Sequence, residues 1–282
     1  MDENKIKLFN QIIISVSNEY LKIKNVKGIV VGGSFARGFS DSLSDIEMYV
    51  YYRKTIPSKQ KINNILKKLN AKFTRSKNLH WYHPAWGIHT FFSIKGIKIE
   101  LGYRDTNKII RRINSFLEGK KIESVQGIHD CPFGHYESGL ANCILECRIV
   151  NEKNNEIKKL KNMLNKYPSK LRFMIFNYYF EDALLIWKNK LLPAAKRDDA
   201  YHFNASLARI VRAIVICIFT INKTFFPGDK WNKQYLDRFK IKPKNYENKI
   251  KKIFDLPDEE ISNKLTKAKI LLNLIKDIKK LY

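Results

Sequence analysis

Acidic residues are scarce in this chain. Its 282 residues hold 27 Asp and Glu against 53 Lys and Arg, a formal net charge of +26. Such a field disfavours a strongly cationic partner and favours polyanions: ATP, nucleic acid or an anionic surface. Lys, Asn and Ile are abundant throughout, so a lysine-rich coding bias explains the charge equally well. Cysteine is sparse too. Cys131, Cys143, Cys147 and Cys217 make no dense disulfide framework and read as reduced thiols. Long apolar runs are missing: the most apolar stretch, Ile210–Ile221, is short for a bilayer span and contains Arg212. At the start of the chain Asp2, Glu3, Lys5 and Lys7 precede the apolar Ile12–Ile14, which is no signal peptide. There is no internal repeat and no low-complexity segment. The expectation is a cytoplasmic protein with no membrane partner. The length and a hydrophobic fraction of 44% suit one large or two ordinary globular domains.

One stretch organises what is present. Residues 27–33 (Lys-Gly-Ile-Val-Val-Gly-Gly) read as a short buried strand closed by glycines. Gly32 and Gly33 let backbone approach a ligand with no Cβ in the way. Ser34 adds a hydroxyl and begins a turn or helix whose N–H groups suit a phosphate. After a polar loop, residues 45–52 (Asp-Ile-Glu-Met-Tyr-Val-Tyr-Tyr) read as a second strand. Side chains alternate along a strand, so Asp45 and Glu47 share one face while Ile46, Met48 and Val50 take the other. Adjacent carboxylates repel unless a cation sits between them, and Mg²⁺ is usually held by one or two carboxylates plus substrate phosphates.

The run Gly33-Ser34-Phe35-Ala36-Arg37-Gly38-Phe39-Ser40-Asp41-Ser42-Leu43-Ser44-Asp45-Ile46-Glu47-Met48-Tyr49-Val50 resembles the signature of the polymerase-beta-like nucleotidyltransferases. Within that superfamily it is most similar to the antibiotic nucleotidyltransferases, in the lincosamide and aminoglycoside branches. The resemblance implies transfer of AMP, or another NMP, from an NTP to a hydroxyl of a small molecule. It implies Mg²⁺ on Asp45 and Glu47, and phosphates gripped by Gly33, Ser34 and Arg37. A third strand, 96–103, has Ile97, Ile99 and Leu101 facing the core and Glu100 pointing the other way, beside Lys98 and Gly102. By resemblance Glu100 is the third carboxylate, as metal ligand or as base for the acceptor hydroxyl. Asp105 is the fallback acid, and otherwise a cap for a helix over 106–117.

Apolar spacing predicts helices over residues 3–24 and 58–70, with Ser58 as a cap of the second. Between 72 and 95 lie Trp81, Tyr82, Trp86 and Phe91, interleaved with His80, His83 and His89. Trp81 or Trp86 offers a ring for stacking on a substrate; the histidines read as packing or hydrogen-bonding residues. His129, Cys131 and His135, with Cys143 and Cys147, do not have a usual zinc spacing. From 138 onward the strands stop. Helical patterns run over 138–150, 153–166, 170–191, 199–222, 245–254 and 258–281, broken at Pro168, Pro193, Pro227, Pro243 and Pro257. The expected architecture is α+β: a small mixed-sheet nucleotidyltransferase domain over 1–135, then an all-α helical bundle over 136–282.

Residues 197–231 resemble the helical domain of the streptomycin/spectinomycin adenylyltransferases. Position by position, Asp199 would contact the acceptor, and Arg209 and Lys230 the triphosphate. The turn here is Pro227-Gly228-Asp229-Lys230, which departs from the family's Pro-Lys-Asp, so Lys223 is a substitute for Lys230. Arg209 and Arg212 share one face of an apolar helix and need an anion or solvent. A cationic aminoglycoside needs an acidic pocket, which Glu181, Asp182, Asp198 and Asp199 can supply; a lincosamide suits the positive chain better. The partners expected are ATP or another NTP and a hydroxyl acceptor, with the chain a monomer or homodimer. The rival expectation is a nucleic-acid-binding, RNA-modifying or toxin-neutralising module on the same fold.

Overall fold

The computed structural model describes residues 1–74, 81–83, 86–121, 124–125 and 135–282. Two compact units emerge, the first from residues 1–116 with 123–166, the second from 117–122 with 167–282.

The first unit begins with α1 (Glu3–Leu21), capped by Asp2, whose carboxylate accepts from the Lys5 amide at 2.8 Å. Then come β1 (Val26–Val31), α2 (Gly33–Arg37), β2 (Ile46–Tyr52) and α3 (Lys59–Lys68), the last capped by Ser58. The strands β3 (Lys72–Phe73), β4 (Trp81–His83), β5 (Gly87–Ile94) and β6 (Ile97–Asp105) lead to α4 (Thr106–Leu117). After β7 (Ser124–Val125) and β8 (His135–Tyr136), which pair with each other, come α5 (Glu137–Glu146), β9 (Arg148–Glu152) and α6 (Glu156–Met163).

The main sheet runs β3-β5-β6-β2-β1-β9, with β4 added on β5. Of its pairings, β2–β6 is parallel, while β1–β2, β5–β6 and β1–β9 are antiparallel. One sheet face is a packed core. Ile29, Val31, Ile46, Met48, Val50, Phe92, Ile99 and Leu101 meet Phe9, Ile12, Ile13 and Val16 of α1 and Ile62, Ile65 and Leu66 of α3. The alternation of β2 and β6 therefore holds as the sequence requires, with the apolar members inward.

The division expected at residue 135/136 falls inside the first unit. Residues 148–150, expected as the end of a helix, instead belong to β9, which runs Arg148–Glu152 along the edge of β1. On α6, Ile157 sits so close to Gly28 that a Cβ there would meet its Cγ1 at 2.8 Å. A short edge strand half exposed to water carries little apolar pattern, which is why its sequence reads as helix.

The second unit is helical: α7 (Ser169–Ile186), α8 (Leu192–Lys196), α9 (Ala200–Ile221), α10 (Asn232–Leu236), α11 (Tyr246–Asp255) and α12 (Ile261–Leu281). Pro193 does not break the path. A π-helical turn, Trp187–Leu191, precedes it and places the proline in the first turn of α8, where its missing N–H is tolerated. Helix α9 is long and apolar enough to cross a membrane by length and composition, so the argument from shortness does not hold. In the structure 72% of its most apolar window is buried within the protein, as the central core helix.

Candidate active site

The second face of the sheet is different in kind. Period-two alternation brings Glu47, Tyr49 and Tyr51 of β2 to it, and Glu100, Gly102 and Arg104 of β6. The parallel register sets Glu47 opposite Glu100, Tyr49 opposite Gly102 and Tyr51 opposite Arg104. Neighbouring strands lie about 4.8 Å apart, so two carboxylates project side by side. Asp45, one residue before β2, adds a third. Burial raises the Glu47 carboxyl above its ordinary value, and Glu100 and Asp45 raise it further; Tyr49 and Arg37 pull the other way. The Tyr49 phenol, held protonated by its own burial, donates to Glu47 Oε2 at 3.1 Å.

The glycine loop lies directly against Glu47. Gly33 has φ +60°, and a Cβ there would lie 2.5 Å from the Glu47 carboxylate. The Gly32 amide donates to the Glu47 carbonyl at 2.8 Å. Ser34 is the second residue of α2, and its hydroxyl lies 3.2 Å from that of Ser44. Ser44 in turn donates to Asp41 at 2.9 Å, and Asp41 also accepts from the Leu43 amide, so the loop to β2 folds on its own bonds. These contacts hold the Asp41 carboxyl below its ordinary value. From the end of α2, Arg37 reaches Asn142 of α5 at 3.0 Å, while its buried Nε makes no hydrogen bond among the described residues.

Three residues of this face escaped the sequence reading as site members. His89 of β5, 3% exposed, sets Nδ1 2.7 Å from Glu100 Oε1. Arg104, 2% exposed, is stacked between the rings of Tyr49 and Trp86 at 4.2 and 4.8 Å, and its guanidinium nitrogens make no hydrogen bond among the described residues. Gly102 makes room for two rings: a Cβ there would lie 2.9 Å from Tyr49 Cδ1 and 3.1 Å from His89 Cε1. The period-two continuation Glu100-Gly102-Arg104 was the signal available in the sequence.

Among the described residues no group of three or more His, Cys, Asp or Glu side chains could by itself hold a metal ion. Two carboxylates fit Mg²⁺ all the same, since that ion takes its remaining ligands from water and phosphate. Asp45 and Glu47 would be that pair: burial first, then Glu100 and Asp45, raises the Glu47 carboxyl, and a divalent cation would offset the repulsion among these acids. Glu100 already faces a basic group. Asp105 proves to be a cap, accepting from the Asn107 and Lys108 amides at 2.9 and 3.2 Å.

Within the second unit, Asp199 caps α9 through the His202 amide at 3.0 Å. Arg209 forms a two-point pair with Asp182 at 2.9 and 3.2 Å. The buried arginine of the i, i+3 pair is Arg212, whose Nε meets Asp229 at 2.7 Å. Lys223 and Lys230 are exposed. The side chains of Trp81, His83 and His135, and residues His80, His129 and Cys131, lie outside the described residues. Cys143, Cys147 and Cys217 are free and buried.

A family model described as a domain of unknown function (DUF4037) matches residues 135–232. That span carries Asp199, Arg209 and Lys230 and none of the three clustered acids. No curated protein matches the chain. Among solved structures, a nucleotidyltransferase-like protein from Exiguobacterium sibiricum 255-15 is similar at 12% identity and a TM-score of 0.45, over 94% of this chain and 74% of that one.

Proposed function

We propose that this protein is a Mg²⁺-dependent nucleotidyltransferase that moves a nucleoside monophosphate, AMP in the first instance, from an NTP to a hydroxyl of a small molecule. The observation that carries the reading is the placement of Glu47 opposite Glu100 with Gly33 pressed against the Glu47 carboxylate. A loop free of side-chain bulk and a doubled acid belong together in an enzyme that handles phosphates beside a cation.

Asp45 and Glu47 would hold the metal, and bound Mg²⁺ would supply charge neutralisation of the phosphates. Tyr49 fixes the Glu47 carboxylate by donating to one oxygen. The Ser34 hydroxyl and the Gly32–Gly33 backbone face the terminal phosphates, and Arg37 contributes positive charge. Glu100 takes the proton of the acceptor hydroxyl. The acceptor oxygen bonds to the α-phosphorus, the bond to the bridging oxygen breaks, and pyrophosphate leaves. Most of the acceleration comes from positioning and preorganised charge.

The acceptor we favour is a weakly charged polyhydroxyl molecule of the lincosamide kind over an aminoglycoside. Of the acids that could attract a cationic drug, Asp182 is engaged by Arg209 and Asp198 by Lys264 at 2.5 Å. Incubation with labelled ATP and a panel of hydroxylated antibiotics and RNAs tests the reading. Transfer to a small molecule supports it; no pyrophosphate release with any acceptor ends it. A second reading, a nucleic-acid-binding or RNA-modifying module, rests on the net charge of +26. Labelled RNA, or an affinity for RNA that falls steeply with salt, would favour that one.

A further inference from the structure

Arg53, Arg112, Arg209 and Arg212 meet carboxylates: Glu156, Glu137, Asp182 and Asp229. Arg37, beside the acid cluster, meets an amide. Its Nη2 donates to Asn142 Oδ1 at 3.0 Å, and among the described residues its buried Nε makes no hydrogen bond. A guanidinium can only donate, so the amide of Asn142 must turn its oxygen toward it. Asn142 is 2% exposed, in the buried run Leu140-Ala141-Asn142-Cys143-Ile144 of α5. A polar side chain at that depth costs stability unless it has a hydrogen bond to make. This bond spans 105 positions of sequence and ties the end of α2 to α5.

An amide in that place has an electrostatic consequence. A carboxylate there would form a buried ion pair and cancel the charge of Arg37. An amide oxygen orients the guanidinium and leaves its charge whole. Direction matters as well. Arg37 is close enough to Glu47 to favour its ionised form. A flexible arginine beside Asp45, Glu47 and Glu100 folds onto them unless something else holds it. A guanidinium seated on Asp45 or Glu47 would take the place of a metal ion.

We infer that Asn142 is a positioning residue, which holds the Arg37 guanidinium clear of the acids and at full charge for the phosphates of the NTP. The inference rests on the nucleotidyltransferase reading for the identity of the anion, and on geometry for the anchor. It gives α5, which carries none of the three acids, a part in the site. The phosphates would then meet two surfaces set by separate elements: the uncharged backbone of Gly32 and Gly33, and a cation steered from α5.

Calorimetric titration of the full-length protein with MgATP, and separately with inorganic tripolyphosphate, tests it, with circular dichroism to show that each variant is folded. Asn142→Leu, similar in size and without an acceptor, should weaken MgATP about 3–10-fold. Asn142→Asp keeps the hydrogen bond and adds a countercharge, and should weaken it about 10–100-fold. An asparagine that only packs α5 against α2 would tolerate aspartate, so an unchanged affinity in that variant overturns the inference. In an Arg37→Gln background, Asn142→Leu should have no further effect on MgATP. The same loss with and without Arg37 means that Asn142 acts through packing, which also overturns it. Tripolyphosphate separates this inference from the functional reading. Tripolyphosphate that binds with the expected order of variants, in a protein that does not bind MgATP, ends the nucleotidyltransferase reading and keeps the anchor. MgATP bound equally by all variants ends the anchor and keeps the reading. Binding of neither by the unsubstituted protein ends both.

Discussion

In the second unit Asp182, Asp198, Asp229 and Asp258 each face a basic side chain: Arg209, Lys264, Arg212 and Lys267. In the first unit Glu47 faces another glutamate across a parallel strand pair, with Asp45 beside them. In a chain with 53 basic and 27 acidic residues, random placement would give almost every acid a cation. The helical unit follows that expectation, and Lys264 and Lys267 are buried to 2% and 3% exposure because their partners are there. The sheet departs from it. Leaving like charges together in so basic a protein costs stability, which a fold retains where the charges serve a ligand.

The contrast can be broken most sharply at the acids themselves. Asp45→Asn combined with Glu47→Gln should lower Mg²⁺-dependent pyrophosphate release from ATP by on the order of 10³-fold, with the circular dichroism spectrum unchanged. Unaltered turnover would place the cluster outside the chemistry. Gly33→Ala should be next. It brings a methyl group against the Glu47 carboxylate at a left-handed φ, so activity should fall with a loss of about 1–3 kcal/mol in chemical denaturation.

In the second unit the same operation should act on stability alone. Asp229→Asn leaves Arg212, 7% exposed, without its countercharge, and should cost about 3 kcal/mol in urea unfolding. Arg209→Ala breaks a pair whose arginine side chain is 56% exposed, and should cost under about 1 kcal/mol.

The pH response sharpens the comparison further. Glu47 titrates above its ordinary value of 4.5 in the folded protein. The native state therefore binds that proton more tightly than the unfolded chain does. Stability falls as pH rises from the ordinary carboxylate range through the raised value. Glu47→Gln should remove this part of the fall and leave a protein with a higher Tm near neutral pH and no activity. A Tm that drops near neutral pH would mean Glu47 is held by a compensating charge.

Much of the sheet was legible in the chain. The Ile46-Met48-Val50 and Ile99-Leu101 alternations assign faces without any tertiary information, and the Gly33-Ser34 to Glu47 run marks a loop closing on an acid. The register that sets Glu47 opposite Glu100 was not legible, because a parallel pair between β2 and β6 is made by packing rather than by a turn. His89 was hidden among aromatic residues where histidines usually pack. In the helical unit the i, i+3 spacing showed that Arg209 and Arg212 need anions. It did not show that Asp182 and Asp229 supply them from within the same unit. Residues 148–150 were misread as helix because a half-wet edge strand has no buried face to give it a period.

Gly102 has a reach beyond its size. The ring of Tyr49 leans over it from one side and that of His89 from the other. Tyr49 holds Glu47, and His89 stands against Glu100. A single methyl group added at this spot would push on both rings together, shifting two acids on separate strands in one stroke. The spacing between those acids is thus tuned by an empty place in the backbone, and evolution could retune it there without touching either carboxylate.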